Sequence, residues 1–144
     1  MKKVFLLLAI IGFITQVDAQ KMKTSNTPAA VTAAFNTAHP SAKDVDWTLR
    51  EGNKYEAEFH ESGVEKYAVY DASGNLIETK MEVSGSTLPA PIISYVKQNY
   101  GEDEVRKAFK VTDASGVVTY RAKVKDSHLL FDSNGTFISV EKKK

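Results

Sequence analysis

Apolar and polar positions alternate along most of this chain, and the alternation is interrupted twice by a helical spacing. Val31, Ala34, Phe35 and Ala38 recur at the interval of one helical face. Thr27 is placed to cap that helix and Pro28 suits its first turn, where a missing N–H is harmless. His39-Pro40 stops it, because a residue before proline is pushed out of the helical region. Four period-2 runs follow. Val45, Trp47 and Leu49 alternate with Asp44, Asp46, Thr48 and Arg50, and Tyr55, Ala57 and Phe59 alternate with Glu56, Glu58 and His60. Val64–Tyr70 becomes apolar on both faces toward its end, as a central strand does, and Leu76–Val83 alternates again. Glu51-Gly52-Asn53, Ser62-Gly63 and Asp71-Ala-Ser-Gly74-Asn75 supply the turns.

The pattern then starts again. Leu88-Pro89-Ala90-Pro91-Ile92 answers Thr27-Pro28-Ala29-Ala30-Val31, and Phe131-Asp132-Ser-Asn-Gly135 answers Tyr70-Asp71-Ala-Ser-Gly74; both ends are offset by 61 residues. A second helix is predicted from about Pro89 to Tyr100, with Ile92, Tyr95, Val96 and Asn99 on one face and Gly101 as its stop. Strands are predicted at 104–112, 117–125, 127–132 and 136–141. The fold expected is therefore α+β, with two tandem repeats at 27–84 and 85–144. Each is one helix on a four-stranded antiparallel sheet, and the two sheets join into one curved surface. Residues 20–26 read as a loose polar segment and Lys142–Lys144 as a frayed end.

The start of the chain has a different character. Lys2 and Lys3 precede an apolar run from Val4 to Ile14, and Val17-Asp18-Ala19 offers small residues for a signal peptidase. Residues 1–19 thus read as a signal peptide. The run is shorter than the roughly 20 residues that span a bilayer, and no other segment is apolar enough to do so. The expected product is exported, periplasmic or secreted. With no cysteine, it is held by its core and not by disulfides.

Charge adds one contrast. Without residues 1–19 the chain carries 17 basic and 17 acidic groups, which with no aromatic-rich basic patch argues against nucleic acid. Residues 27–84 nevertheless carry a net −5 and residues 85–144 a net +3. Alternation assigns Asp44, Asp46, Glu56 and Glu58 to the open face of the first sheet, and Arg106, Lys110, Arg121 and Lys123 to the open face of the second. Joined, these form a surface acidic at one end and basic at the other, which suits a partner of matching polarity. Tyr67, Tyr70 and Tyr120 are the aromatics that could anchor such a partner.

The sequence gives little support for catalysis or metal binding. Asp71-x-Ser73-x-Asn75 with Glu82 has the outline of a calcium loop, but its glycine is at the wrong position and Leu76–Val83 reads as a strand. His39, His60 and His128 sit in separate settings. The serines lie in turns, without a nucleophile elbow. No cofactor is implied.

The units Pro-x-x-Val-x-x-x-Phe, Val-x-Trp, Tyr-x-Ala-x-Phe and Tyr-Asp-x-x-Gly-x-Leu-Ile-Glu resemble the PepSY-like domains of small periplasmic proteins of Bacteroidetes, also described as beta-lactamase-inhibitor-like. In the first half Pro28, Val31, Phe35, Pro40, Val45, Trp47, Tyr55, Glu56, Phe59, Asp71, Gly74 and Glu78 carry the likeness. The second half departs from it, with Gly101 for the helix-ending proline, no tryptophan, and His128 for an aromatic. The resemblance implies helix-on-sheet repeats and no catalytic residues. It also implies a sheet face that grips another protein, as inhibitors of this fold grip an enzyme. The function expected is an exported, non-enzymatic module that binds a protein or peptide through its open face and regulates an exported enzyme. The alternative is a small-ligand or metal-binding protein of the cell envelope, with a pocket where the halves meet.

Overall fold

In the computed structural model residues 20–142 are described. The expected signal peptide, Lys143 and Lys144 lie outside them. The order is β1 (Gln20–Met22), α1 (Ala29–Ala38), β2 (Lys43–Arg50), β3 (Lys54–Glu61), β4 (Val64–Tyr70), β5 (Leu76–Val83), α2 (Ala90–Tyr100), β6 (Val105–Asp113), β7 (Val118–Val124), β8 (Ser127–Asp132) and β9 (Phe137–Lys142). All nine strands form one antiparallel sheet in strict chain order. β5 and β6 pair directly from Glu78↔Asp113 to Val83↔Ala108 although α2 lies between them in sequence, so the sheet runs unbroken across the middle of the chain. Among the described residues, no helix is long and apolar enough to cross a membrane.

The first segment differs from expectation. Gln20–Met22 is not loose: it pairs with Trp47–Leu49 and covers the edge of β2. A short 3-10 turn at Thr24–Asn26 follows, and Thr27 closes that turn through its N–H to Thr24. Thr27 therefore does not cap α1. The capping position is Pro28, with no side-chain hydrogen bond, and the Pro28 carbonyl takes the first helical N–H groups.

Both helices lie on one side of the sheet. Ala57 pairs with Ala68 and Ala108 with Ala122, and the register carries these four residues to the same face. Val31 and Phe35 of α1 bury against Trp47, Ala57, Phe59, Ala68 and Tyr70. Ile92 and Val96 of α2 bury against Ala108, Ala122, Val124, Leu129 and Phe131. Alanines lie in the core beneath each helix, and aromatics fill the flanks. Phe35 meets Trp47 and Phe59 edge-on at 5.4 and 5.0 Å, while Tyr95 stacks on Phe137 at 4.6 Å.

The hairpin loops anchor the helices at their starts. Asp71, Asp113 and Asp132 each accept backbone N–H groups two and four residues ahead, closing three loops of the same design. The Asp71 carboxylate also takes the Asn75 side-chain amide, so its oxygens close a turn. Among the described residues, no three acids and histidines gather as metal ligands. Gly74 and Gly135 lie against the first turns of α1 and α2. A Cβ on Gly74 would stand 2.5 Å from the Ala30 carbonyl oxygen, and one on Gly135 would stand 3.1 Å from Pro91.

Gly74 and Gly116 have nearly equal φ, +84° and +85°, but nothing lies within 4 Å of a Cβ built on Gly116. Gly116→Ala should therefore cost only the left-handed strain, about 1 kcal/mol, or roughly 4 °C in Tm for a domain of this size. Gly74→Ala adds the clash with α1, and its Tm should fall by about 10 °C or more. Equal shifts in thermal denaturation would show that contact with Ala30 does not hold the helix.

Candidate binding surface

Among the described residues, no helix covers the opposite side of the sheet. The register brings Asp46, Thr48, Glu56 and Glu58 together there with Tyr67, Val69, Glu78 and Lys80, and then with Phe109, Val111, Arg121, Lys123, His128 and Leu130. Two valines on this side, Val69 and Val111, are only 5% and 3% exposed. Long polar side chains stand beside them: Glu56 and Glu78 flank Val69, and Lys80 flanks Val111. Aliphatic stems shelter apolar surface in this way while their charged ends reach water.

Many of the charges on this face pair across strands. Glu56 is buried beneath Arg50 and Lys80, at 2.5 and 2.8 Å. Lys80 also lies over the Tyr67 ring, 4.6 Å from its centroid. The Tyr67 hydroxyl donates to Glu65, which pairs with Lys107 at 2.7 Å, and Lys107 reaches Glu82 at 3.7 Å. Farther along, Arg121 takes Glu78 at 3.3 Å. At the centre Tyr67 and Phe109 meet edge to face, with ring centroids 5.5 Å apart. This array ties β2, β3, β4, β5, β6 and β7 together by their side chains.

These contacts set the ionisation of the acids. Burial pushes the Glu56 carboxyl up, but hydrogen bonds and charge from Lys80 and Arg50 outweigh it and hold the group below its ordinary 4.5. The hydrogen bond from Lys107, then that from Tyr67, lowers Glu65. Burial first, then the bond to Glu65, raises the Tyr67 phenol.

Several expected placements are corrected. Lys110 is not on this face: it is opposite Met81 and Tyr120, on the helix side. Phe109 and Val111, which alternate with Lys110 and so would lie on the core side if Lys110 were outward, face outward. Tyr70 and Tyr120 belong to the helix-side cores, leaving Tyr67 as the one of the three tyrosines on the open face. Asp44 and Arg106 fall at irregularities in β2 and β6, where one strand carries an extra residue, and Asp44 has φ +52°. Asp46 pairs with Lys21 of β1 at 3.4 Å. Glu56 and Arg121 are engaged within the sheet, whereas Glu58 and Lys123 make no ion pair among the described residues. Phe109, Lys80 and Lys107 were missed. For two of them the sequence held a signal: Lys107 and Phe109 are two positions apart in one strand and so share a face.

Glu56 binds its proton less readily when folded, so its stabilising effect is complete above about pH 4.5 and is lost as pH falls through its lowered folded value. Glu56→Gln leaves Arg50 and Lys80 without their counter-charge and should cost about 2 kcal/mol at pH 7. The gap in Tm between this variant and the parent should narrow below pH 4. A gap equally wide at pH 7 and pH 3 would contradict this account of Glu56.

The comparisons with known proteins agree with this build. The model of the beta-lactamase-inhibitor-like, PepSY-like family matches residues 14–78 and again residues 53–139. Among proteins of curated function, none matches the sequence. Solved structures share the fold at low identity. A DUF2874 family protein from Bacteroides ovatus superposes with a TM-score of 0.70 at 20% identity, over 80% of this chain and 86% of that one. A BLIP-like protein from Bacteroides fragilis gives 0.64 at 21%, over 80% and 86%. A protein from Bacteroides eggerthii described as periplasmic gives 0.72 at 14%, over 81% and 88%. With two overlapping matches that together run from residue 14 to residue 139, the chain belongs to the beta-lactamase-inhibitor-like, PepSY-like family.

Proposed function

We propose that this protein is a non-enzymatic binding module of the periplasm, and that its open sheet face takes a protein or peptide partner and so restrains an exported enzyme. The Tyr67–Phe109 pair supports this most directly. Two half-buried aromatics, locked edge to face at 5.5 Å, stand on the helix-free side near the middle of the sheet. Rigid aromatics cost little entropy to bury and commonly carry binding energy. The surrounding charges already hold partners, so a docking surface meets a pre-ordered array. Glu58 and Lys123, on either side of the aromatic pair, remain to set orientation.

The chain reads best as two copies of one unit fused edge to edge, one built on α1 and the other on α2. Pro28 and Pro89 open equivalent helices, and Gly74 and Gly135 underlie them in equivalent loops. The first unit has an added strand, β1, so the repeats are not both four-stranded. The near-complete burial of Val69 and Val111 on a face without a helix favours a sheet that curves toward that side. A BLIP-like relative of the same fold agrees with a partner that is itself a protein. Periplasmic relatives and the signal-like start agree with where it works.

Affinity capture from a periplasmic extract tests this reading. Phe109→Ala combined with Glu58→Lys should reduce capture of the parent's partner about tenfold or more, with Tm lowered only modestly. Adding the parent protein should slow the captured enzyme, and the double variant should not. Undiminished capture by the folded double variant would remove the open face from consideration.

A further inference from the structure

We propose that the helix side of the sheet holds a second site, a cleft for one carboxylate carried on a short apolar group. Its floor lies on β4, β5 and β6, beside the end of α1. Lys66, Met81 and Lys110 stand in register across these strands, and Thr79 faces Thr112 one rung away. The cleft holds about 230 Å³. That is below the roughly 300–1,000 Å³ typical of pockets for larger ligands, so the occupant is small.

The charge of the cleft decides the ligand class. Lys66 is already matched by Glu61 at 2.8 Å, and Glu61 also accepts from Ser41 at 3.1 Å and lies 3.6 Å from His39. Lys110 is half-buried and makes no ion pair or hydrogen bond among the described residues. On this side β5 offers Thr79, Met81 and Val83, and β6 offers Ala108, Lys110 and Thr112, with no acid. With His39 counted neutral, the cleft retains one uncompensated positive charge. One carboxylate supplies the missing counter-charge, whereas a phosphate dianion would bring excess negative charge. The hydroxyls of Thr79 and Thr112 can donate to the second carboxylate oxygen. Met81, 37% exposed, offers apolar contact to the carbon chain.

The source of the carboxylate is either a free organic acid or the C-terminus of a peptide, and the experiment separates them. The Met81 methyl group is followed by NMR while butyrate, N-acetyl-leucine, N-acetyl-leucinamide and inorganic phosphate are added in turn. Both acids should give saturable shifts in the millimolar range, and the amide none. Tighter binding of N-acetyl-leucine points to a peptide end, and equal or tighter binding of butyrate to a free acid. Lys110→Gln should weaken either acid about tenfold, Lys110→Arg should keep binding, and the distant Lys97→Gln should change nothing. Absence of saturable shifts, equal binding of the amide, phosphate binding tighter than the acids, or a Lys110→Gln variant as tight as the parent would each overturn the proposal.

Discussion

The packing of each helix over small residues is the constraint from which the rest of the structure follows. One helix can shield only a few strands. Ala57 and Ala68 beneath α1, and Ala108 and Ala122 beneath α2, are each at most 1% exposed. Gly74 and Gly135 let the loops approach the helix starts, where a side chain would meet the first turn. The larger residues stand at the flanks, as Trp47, Phe59 and Phe131 do. Small residues thus determine position, and aromatics supply most of the buried area.

Two helices cannot cover nine strands, and the uncovered side is stabilised differently. There the cohesion comes from side chains that are charged at their ends and apolar along their stems. An exposed ion pair contributes only about 0–1 kcal/mol, so the Arg121–Glu78 contact is a minor one. Glu56 is a different case. It is buried and bonded to two cations, and hydrogen bonds to charged groups contribute about 1.5–3 kcal/mol. Lys80 joins that carboxylate to the Tyr67 ring, so one lysine links the electrostatic and aromatic parts of the face.

Much of the fold was legible because period and punctuation agreed. Val64–Tyr70, Leu76–Val83 and Ser127–Asp132 occupy the spans that alternation predicts, and both helices stop at His39 and Gly101 as their sequences imply. Side-chain direction was less legible, for two physical reasons. The extra residues in β2 and β6 shift the count by one, and a shift of one sends every later side chain to the other face. The open face also carries its own apolar residues. In β6 the larger hydrophobics, Phe109 and Val111, point away from the helix, while Ala108 with its small side chain points toward it. A rule that sends the bulkiest residues inward therefore inverts that strand, and Lys110 with it. The charge pairing was hidden for another reason: Lys80 and Lys107 reach acids 24 and 42 residues away in sequence.

The middle of the sheet combines these effects. β4, β5 and β6 lie between the two helix-covered cores, and adjacent residues there serve opposite faces. Lys66 alternates with Tyr67, Met81 with Lys80, and Lys110 with Phe109. The backbone pairing of β5 with β6 joins the halves, and on the open face the Lys107–Glu65 and Arg121–Glu78 contacts reinforce that seam. The residues that hold the two halves together are therefore also the ones with surface to offer on both sides. A change that loosens the seam moves Tyr67 relative to Phe109 and Lys66 relative to Lys110, because each of these pairs spans it. Cohesion of the halves and recognition by either face thus depend on the same few strands.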